Sequence, residues 1–279
     1  MSDTIVIPVP ERLLAVYAVA TAEPVDSSAL RSSGGVAVDV VPVDAAPLPA
    51  AALLRAMGAS TEALAKLGSA TEAALVRSIG GPGMPPGSEM AAYATAQALA
   101  EVYDGVLVDT VIPRVVDSPR GVGDDFRLAD WVVLPHSATD DGLWFTTKGL
   151  VRFGMPELQS HCVPESASNA WGAVLTGVAQ VLTEHLGAAL REDPTRAFVE
   201  LPAQLDLRLR DIAAGYSDRS RSADDPGLDV SASMCVVWDP APQEGAESFL
   251  TVQPPRHTAE PATEWTTGVV RTLFGAAGG

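Results

Sequence analysis

The chain is poor in the residues on which most site chemistry is built: its 279 residues include two cysteines, four histidines, two lysines and a single asparagine, Asn169. Each shortage excludes something. Cys162 and Cys235 lie far apart and form no CxxC pair, so they predict two buried thiols rather than a zinc knot or a disulfide framework. With Lys66 and Lys148 the only lysines, 18 bases face 35 acids and the net charge is −17. Such a surface repels phosphate backbones and anionic headgroups, which excludes nucleic acid and membrane as partners. No apolar run approaches the ~20 residues that span a bilayer. The opening MSDTIVIPVPER has neither a basic stretch nor a continuous apolar one, so no secretory signal is expected and the cytoplasm is the predicted compartment. Also missing are GxxxxGK[ST], GxGxxG, GxSxG, HExxH and an EF-hand loop. Their absence removes the motif-defined nucleotide, hydrolase and zincin classes, and no cofactor or metal is expected.

What remains is an ordinary globular composition, 47% hydrophobic and 19% charged, in a chain long enough for one large or two small domains. Abundant Ala, Gly, Val, Pro and Arg suggest a GC-rich, actinobacterial source. The periodicities predict an α+β protein with mixed and antiparallel strands and helices packed on the sheets. Two sheet-plus-helix units are expected, 1–120 and 121–279, either separate or fused into one continuous body. RLLAVYAVA (12–20) and GGVAVDVVPV (34–43) read as strands. Apolar spacing over 50–79 reads as helix, cut by Gly58 and Gly68. GGPGMPPG (80–87) is a loop, and Ser88 is the expected cap of a helix that Asp104 and Gly105 close. GVLVDTVIPRVV (105–116) is the next strand. ADWVVLPH and LWFTT form a predicted hairpin across SATDDG. LQSHCV (158–163) is a short strand. A long helix, capped by Ser166 or Ser168, turns Trp171, Val174, Leu175, Val178, Val181, Leu182 and Leu186 to one side. FVELPAQLDLRLRDI, VSASMCVVWD and SFLTVQPP read as strands, the last two pairing across PAPQEG. A short helix bearing Trp265, Val269, Val270 and Leu273 ends at Gly275.

Two groups of residues are candidates for chemistry. His136, with Asp140 and Asp141 in the hairpin turn, could hold a metal or transfer a proton. The second group lies in GLWFTTKGLVRFGMPEL (142–158), where aromatics and glycines crowd. Its main reading is a structural corner: a short helical turn over 148–153, a left-handed Gly154, then Pro156, with Leu150, Phe153, Met155 and Leu158 pinned in the core. On the second reading Thr146, Lys148, Arg152 and Glu157 line a ligand pocket beside that corner. His161 and Cys162, adjacent in a strand, are expected on opposite faces.

This stretch, with AAYATAQALAEVYDGVLVD upstream, resembles actinobacterial proteins of a domain-of-unknown-function family that carry a TxGLxxFGxPEL segment after an Ala-rich helix. The resemblance covers the middle third of the chain, and Asp104 stands where the pattern has a glycine. It implies a cytoplasmic α+β protein and no catalytic residue. The expected function is therefore a non-enzymatic accessory or binding protein for a small molecule or a protein partner. The alternatives are a motif-poor enzyme centred on His136 with Asp140 or Asp141, of which a metal-assisted hydrolase is one form, and an acidic immunity-type protein that neutralises a basic toxin.

Overall fold

The computed structural model describes residues 4–26, 35–216, 225–240 and 248–275. In chain order its elements begin with β1 (Thr4–Pro8), β2 (Leu13–Thr21), β3 (Val36–Pro42), α1 (Ala51–Ala56), α2 (Thr61–Ser69), β4 (Glu72–Gly80) and α3 (Gly87–Val102). There follow β5 (Val106–Asp109), β6 (Arg114–Val115), α4 (Leu128–Trp131), β7 (His136–Thr139), β8 (Gly142–Thr146) and β9 (Glu157–Val163). The last are α5 (Ser168–Glu192), β10 (Phe198–Pro202), β11 (Gln204–Arg208), α6 (Leu209–Gly215), β12 (Ser231–Asp239), β13 (Phe249–Gln253) and α7 (Ala262–Phe274). The fold is α+β, with three sheets among the described residues. The contacts define two units: Pro10–Pro82 with Pro86–Arg120, and Gly121–Gly279 with Met1–Val9 and Gly83–Pro85.

The first unit is built on a five-stranded antiparallel sheet in the order β3-β4-β2-β5-β6. Strand periodicity divides its side chains between two faces. Ala18, Val106, Val108 and Val115 form one apolar cluster with Leu54 of α1, against which Leu64 and Leu67 of α2 pack. The other face carries Tyr17 and its register partner Asp109. There α3 lays down Glu89, Ala92, Tyr93 and Ala96, the i, i+3, i+4, i+7 spacing of one helical face. The polar members among them are joined. Arg120 pairs with Asp109 and donates to Tyr17 Oη at 3.1 Å, while its backbone N–H donates to Tyr93 Oη at 2.8 Å. The Tyr17 hydroxyl donates to Glu89, and Asp109 Oδ1 accepts from the N–H groups of Val111 and Ile112, both at 3.0 Å. With the guanidinium on one oxygen and two backbone donors on the other, this buried carboxylate is satisfied.

The second unit holds a six-stranded mixed sheet, β11-β12-β13-β9-β8-β7, and a two-stranded ribbon of β1 with β10. The pair β13–β9 is parallel and the others are antiparallel. Leu158, Val236, Leu250 and Val252 are buried on one face, the side on which α5 and α7 pack, with Trp171 and Trp265 in edge-to-face contact at 5.3 Å. Glu165–Glu192 is apolar and long enough to cross a bilayer, but 67% of its apolar window is buried inside the protein. The sheet and α6 cover that surface. The approach of α5 to α6 is close: a Cβ on Gly177 would lie 2.6 Å from Ile212 Cγ1 and 3.2 Å from its backbone.

Several sequence expectations need correction. The helical pattern over 50–79 stops at Ser69, and Leu75, Val76 and Ile79 belong to β4, which pairs on both sides, with β2 and β3. Two flanking strands override a short apolar period that fits either element. Ser88 does not cap α3, which starts at Gly87 after Pro86. Likewise neither Ser166 nor Ser168 caps α5; a 3-10 turn over Glu165–Ala167 leads into it instead. The segment 105–116 is two strands rather than one, and the first strand of the predicted hairpin is displaced. Ala129, Asp130 and Trp131 lie in α4, and β7 runs on through Ser137, Ala138 and Thr139, residues expected in the turn. Leu209 and Arg210 begin α6 rather than continue β11. The polar loop after Tyr216 and the PAPQEG turn fall largely outside the described residues.

Two glycines and one aspartate probe this packing. Gly177→Ala should destabilise the protein by about 1–3 kcal/mol through overpacking, whereas Gly268→Ala on α7, where a Cβ meets nothing within 4 Å, should be neutral or stabilising by up to ~1 kcal/mol. Urea melts of both variants check the contrast. Asp109→Asn breaks a buried ion pair and should cost about 3 kcal/mol or more, read in the same melts.

Candidate functional site

The segment Thr146–Leu158 closes on itself. After β8 the chain makes a 3-10 turn over Leu150–Phe153, flanked by Gly149 at φ 122° and the left-handed Gly154 at φ 86°. Both conformations favour glycine. The turn leaves its first N–H groups without intrahelical acceptors, and Glu157, 3% exposed, supplies them. Its carboxylate accepts from Gly149 N–H at 2.7 Å, Leu150 N–H at 3.3 Å and the Thr147 hydroxyl at 2.6 Å. Thr147 Oγ1 in turn accepts from Leu158 N–H at 2.7 Å. Leu150, Phe153, Met155 and Leu158 are buried beneath. The threonine, both glycines, the leucines, the phenylalanine and the glutamate of the TxGLxxFGxPEL pattern thus all have structural work. Of the four residues read as a possible pocket lining, Thr146, Arg152 and Glu157 are buried. The fourth, Lys148, bridges to Val133 through its backbone, donating at 2.9 Å and accepting at 3.0 Å. Three of the four are thus buried in the corner, and Lys148 is half-buried beside it.

It does not bring His136 to Asp140 and Asp141. His136 starts β7 opposite Phe145, on which its ring stacks at 4.8 Å. The two aspartates follow Thr139, at the far end of the hairpin. Asp140 is four residue steps along the chain from His136, roughly 13 Å at 3.3 Å per step of extended chain. Among the described residues no group of three His, Cys, Asp or Glu side chains is placed to hold a metal.

A different set does converge, on the face of the six-stranded sheet opposite α5 and α7. A polar seam crosses four neighbouring strands. Trp144 of β8 donates from Nε1 to Gln159 Oε1 of β9 at 3.2 Å. Gln159 Nε2 donates to Thr251 Oγ1 of β13 at 2.9 Å and to Asp239 Oδ2 of β12 at 3.0 Å. With both kinds of amide atom engaged, Gln159 has one orientation, and the indole is fixed by it. The imidazole of His161 lies on Trp144, centroids 5.9 Å apart and planes 2° from parallel. A bulge creates this stack: Leu143 pairs with Val163 and Phe145 with Ser160, so His161 and Cys162 together oppose Trp144. Cys162 takes φ 57° to accommodate the extra residue, and it is half-buried rather than fully so. His161 and Asp239 are exposed and Trp144 half-exposed. Bulges re-aim side chains in this way, commonly beside functional surfaces.

Sequence reasoning assigns Trp144 to a strand and His161 to its outer face but does not connect them. The one available signal is alternation, which places Trp144 and Thr146 on one face of β8, and Gln159 and His161 on one face of β9; the bulge that stacks two of them leaves no mark in composition. Compared with models of protein families, with curated proteins and with solved structures, the chain matches none.

The corner gives a direct test. Glu157→Gln keeps the side-chain length but turns an amide –NH2 toward backbone donors, and should cost at least about 2 kcal/mol because buried N–H groups lose a charged acceptor. Thermal unfolding measures it, and a loss below ~0.5 kcal/mol would contradict the capping role.

Proposed function

We propose that the protein is a non-enzymatic, cytoplasmic binding protein whose partner is a basic protein, recognised on the open face of the six-stranded sheet around Trp144 and His161. The observation that carries this reading is the Trp144–His161 stack held by the Gln159 seam. A tryptophan whose ring is already immobilised loses little conformational entropy when covered, and such aromatic anchors dominate interface energetics. Asp239, bonded to Gln159 of the seam, is an exposed carboxylate on the same face, and the exposed Asp140 and Asp141 stand at the turn that leads into β8. Together with a net charge of −17 they favour a cationic partner by complementarity and by faster encounter. This joins two expectations from the sequence, an accessory binding protein and an acidic protein that neutralises a basic one.

The test uses purified protein immobilised against extract of its own cells, with wild type beside Trp144→Ala and His161→Ala. A partner retained by wild type should be lost at least tenfold by Trp144→Ala, as for an anchor worth about 1.4 kcal/mol or more, and its retention should weaken with added salt. Equal retention by all three proteins, or salt-independent retention, would reject the reading.

A further inference from the structure

Helix α6 carries Leu209, Ile212, Ala213 and Tyr216 at the i, i+3, i+4, i+7 spacing of a single helical face. Ile212 packs on α5 at Gly177, but the rest of the face is only partly covered. A recess of about 370 Å³ remains between it, Ala173 of α5, Leu228 of the 3-10 turn Pro226–Asp229, and Leu273 near the end of α7. Its walls are fixed. Gly215, like Gly177, lets α6 approach α5 with no side chain between them, and a Cβ there would lie 2.9 Å from Thr176 Cγ2. The two helices cannot close further, so the recess does not collapse. Ile212, Leu228 and Leu273 are buried, whereas Tyr216 is 42% exposed.

The chemistry of the lining selects the occupant. No charged residue lines the recess, in a chain of net charge −17. Three other recesses among the described residues all include charged side chains: Glu62 and Lys66 in one, Glu101 and Asp104 in the next, Glu260 and Arg271 in the third. A charged ligand would lose its hydration here and gain no partner. The volume lies in the range of small-molecule sites, and a single turn of α-helix, ~10 Å across and ~5.4 Å long, already exceeds it. Among the lining side chains only Tyr216 has a polar atom. Its Oη lies 3.4 Å from Thr176 Oγ1, which itself donates to the Gly172 carbonyl at 3.1 Å. The phenol is therefore the donor to Thr176, and its oxygen keeps its capacity to accept.

We infer that this recess binds a neutral, largely apolar small molecule bearing an N–H or O–H that donates to Tyr216 Oη. Apolar burial supplies the affinity, and the missing countercharge together with the one acceptor supplies the selectivity. The site goes beyond the protein-partner reading and shares no residue with the Trp144 surface.

The experiment is a fluorescence titration of the whole protein with phenylnaphthylamine, a neutral aromatic amine with one N–H, and with its sulfonated analogue, anilinonaphthalene sulfonate. Wild type should bind one equivalent of the neutral probe saturably and without dependence on salt, about tenfold or more tightly than the sulfonate. Ala213→Phe and Ala173→Leu each carry a larger apolar side chain into the recess, from different helices. Either should weaken the neutral probe by about tenfold or more with a thermal midpoint kept or raised, as for the filling of a void. Tyr216→Phe removes one oxygen at an exposed position and should weaken binding by about three- to tenfold, the loss of one neutral hydrogen bond. The proposal is overturned by the absence of saturable binding, by equal affinity for the sulfonate, or by wild-type affinity in Tyr216→Phe or in a filled variant that keeps its midpoint. Trp144→Ala should bind the probe like wild type; a loss there would place the probe on the sheet surface and overturn the assignment too.

Discussion

The carboxylate of Glu157 is the contact through which the six-stranded sheet acquires its order. It sits at the first residue of β9, the strand that joins the antiparallel half of the sheet to its parallel pairing. By accepting from Gly149, Leu150 and Thr147, it folds the connection from β8 back onto its own root. The position of β9 against β8 follows, and Gln159, two residues on, then faces Trp144. Leaving those donors buried without an acceptor would cost more than the net value of the bonds they make. A structural cap and a surface constellation are therefore consecutive consequences of one turn.

The five-stranded unit solves a comparable problem with an ion pair. Arg120 and Asp109 are both buried, and each is supplemented by further bonds: tyrosine hydroxyls on one side, backbone N–H groups on the other. Such pairs contribute little net stability over apolar packing but make alternative arrangements unfavourable, because any of them strands a charge. Tyr17 and Tyr93, whose rings lie 5.9 Å apart, surround the guanidinium with aromatic surface as well. Helix α3 is thereby held to one placement over the sheet. Its own sequence is too rich in alanine to specify that placement by shape.

Much of the fold is legible in the chain. The strands around Leu13–Thr21, Val36–Pro42, Ser231–Asp239 and Phe249–Gln253 follow from short apolar runs with β-branched residues, and α5 from its apolar stripe. The corner at 149–158 can be read nearly residue by residue, because glycine at positive φ and proline after it admit few conformations. The errors concentrate where a short apolar run fits two periods. EAALVRSIG resembles a helix until two partner strands claim it. Ser88, Ser166 and Ser168 are capping residues by type, yet the chain enters α3 directly after a proline and α5 through a 3-10 turn. At the corner, Glu157 stands out in the sequence as a polar residue in an apolar region, but its role as a cap depends on a loop returning to meet it.

The sequence by itself determined the composition-level facts: an acidic protein, an α+β pattern, and a proline- and glycine-punctuated corner with its apolar anchors. These are local or additive properties, set by dihedral preference, side-chain period and summed charge. Only the tertiary structure decided that His136 stands apart from Asp140 and Asp141, and that Trp144, Gln159, Thr251 and Asp239 share one seam. It alone decided that β3 is a terminal strand of its sheet among the described residues. Each of these depends on strand order and register, and a one-residue shift of register turns every side chain to the opposite face. Pairing between segments distant in the chain sets that register, and no window of sequence contains it.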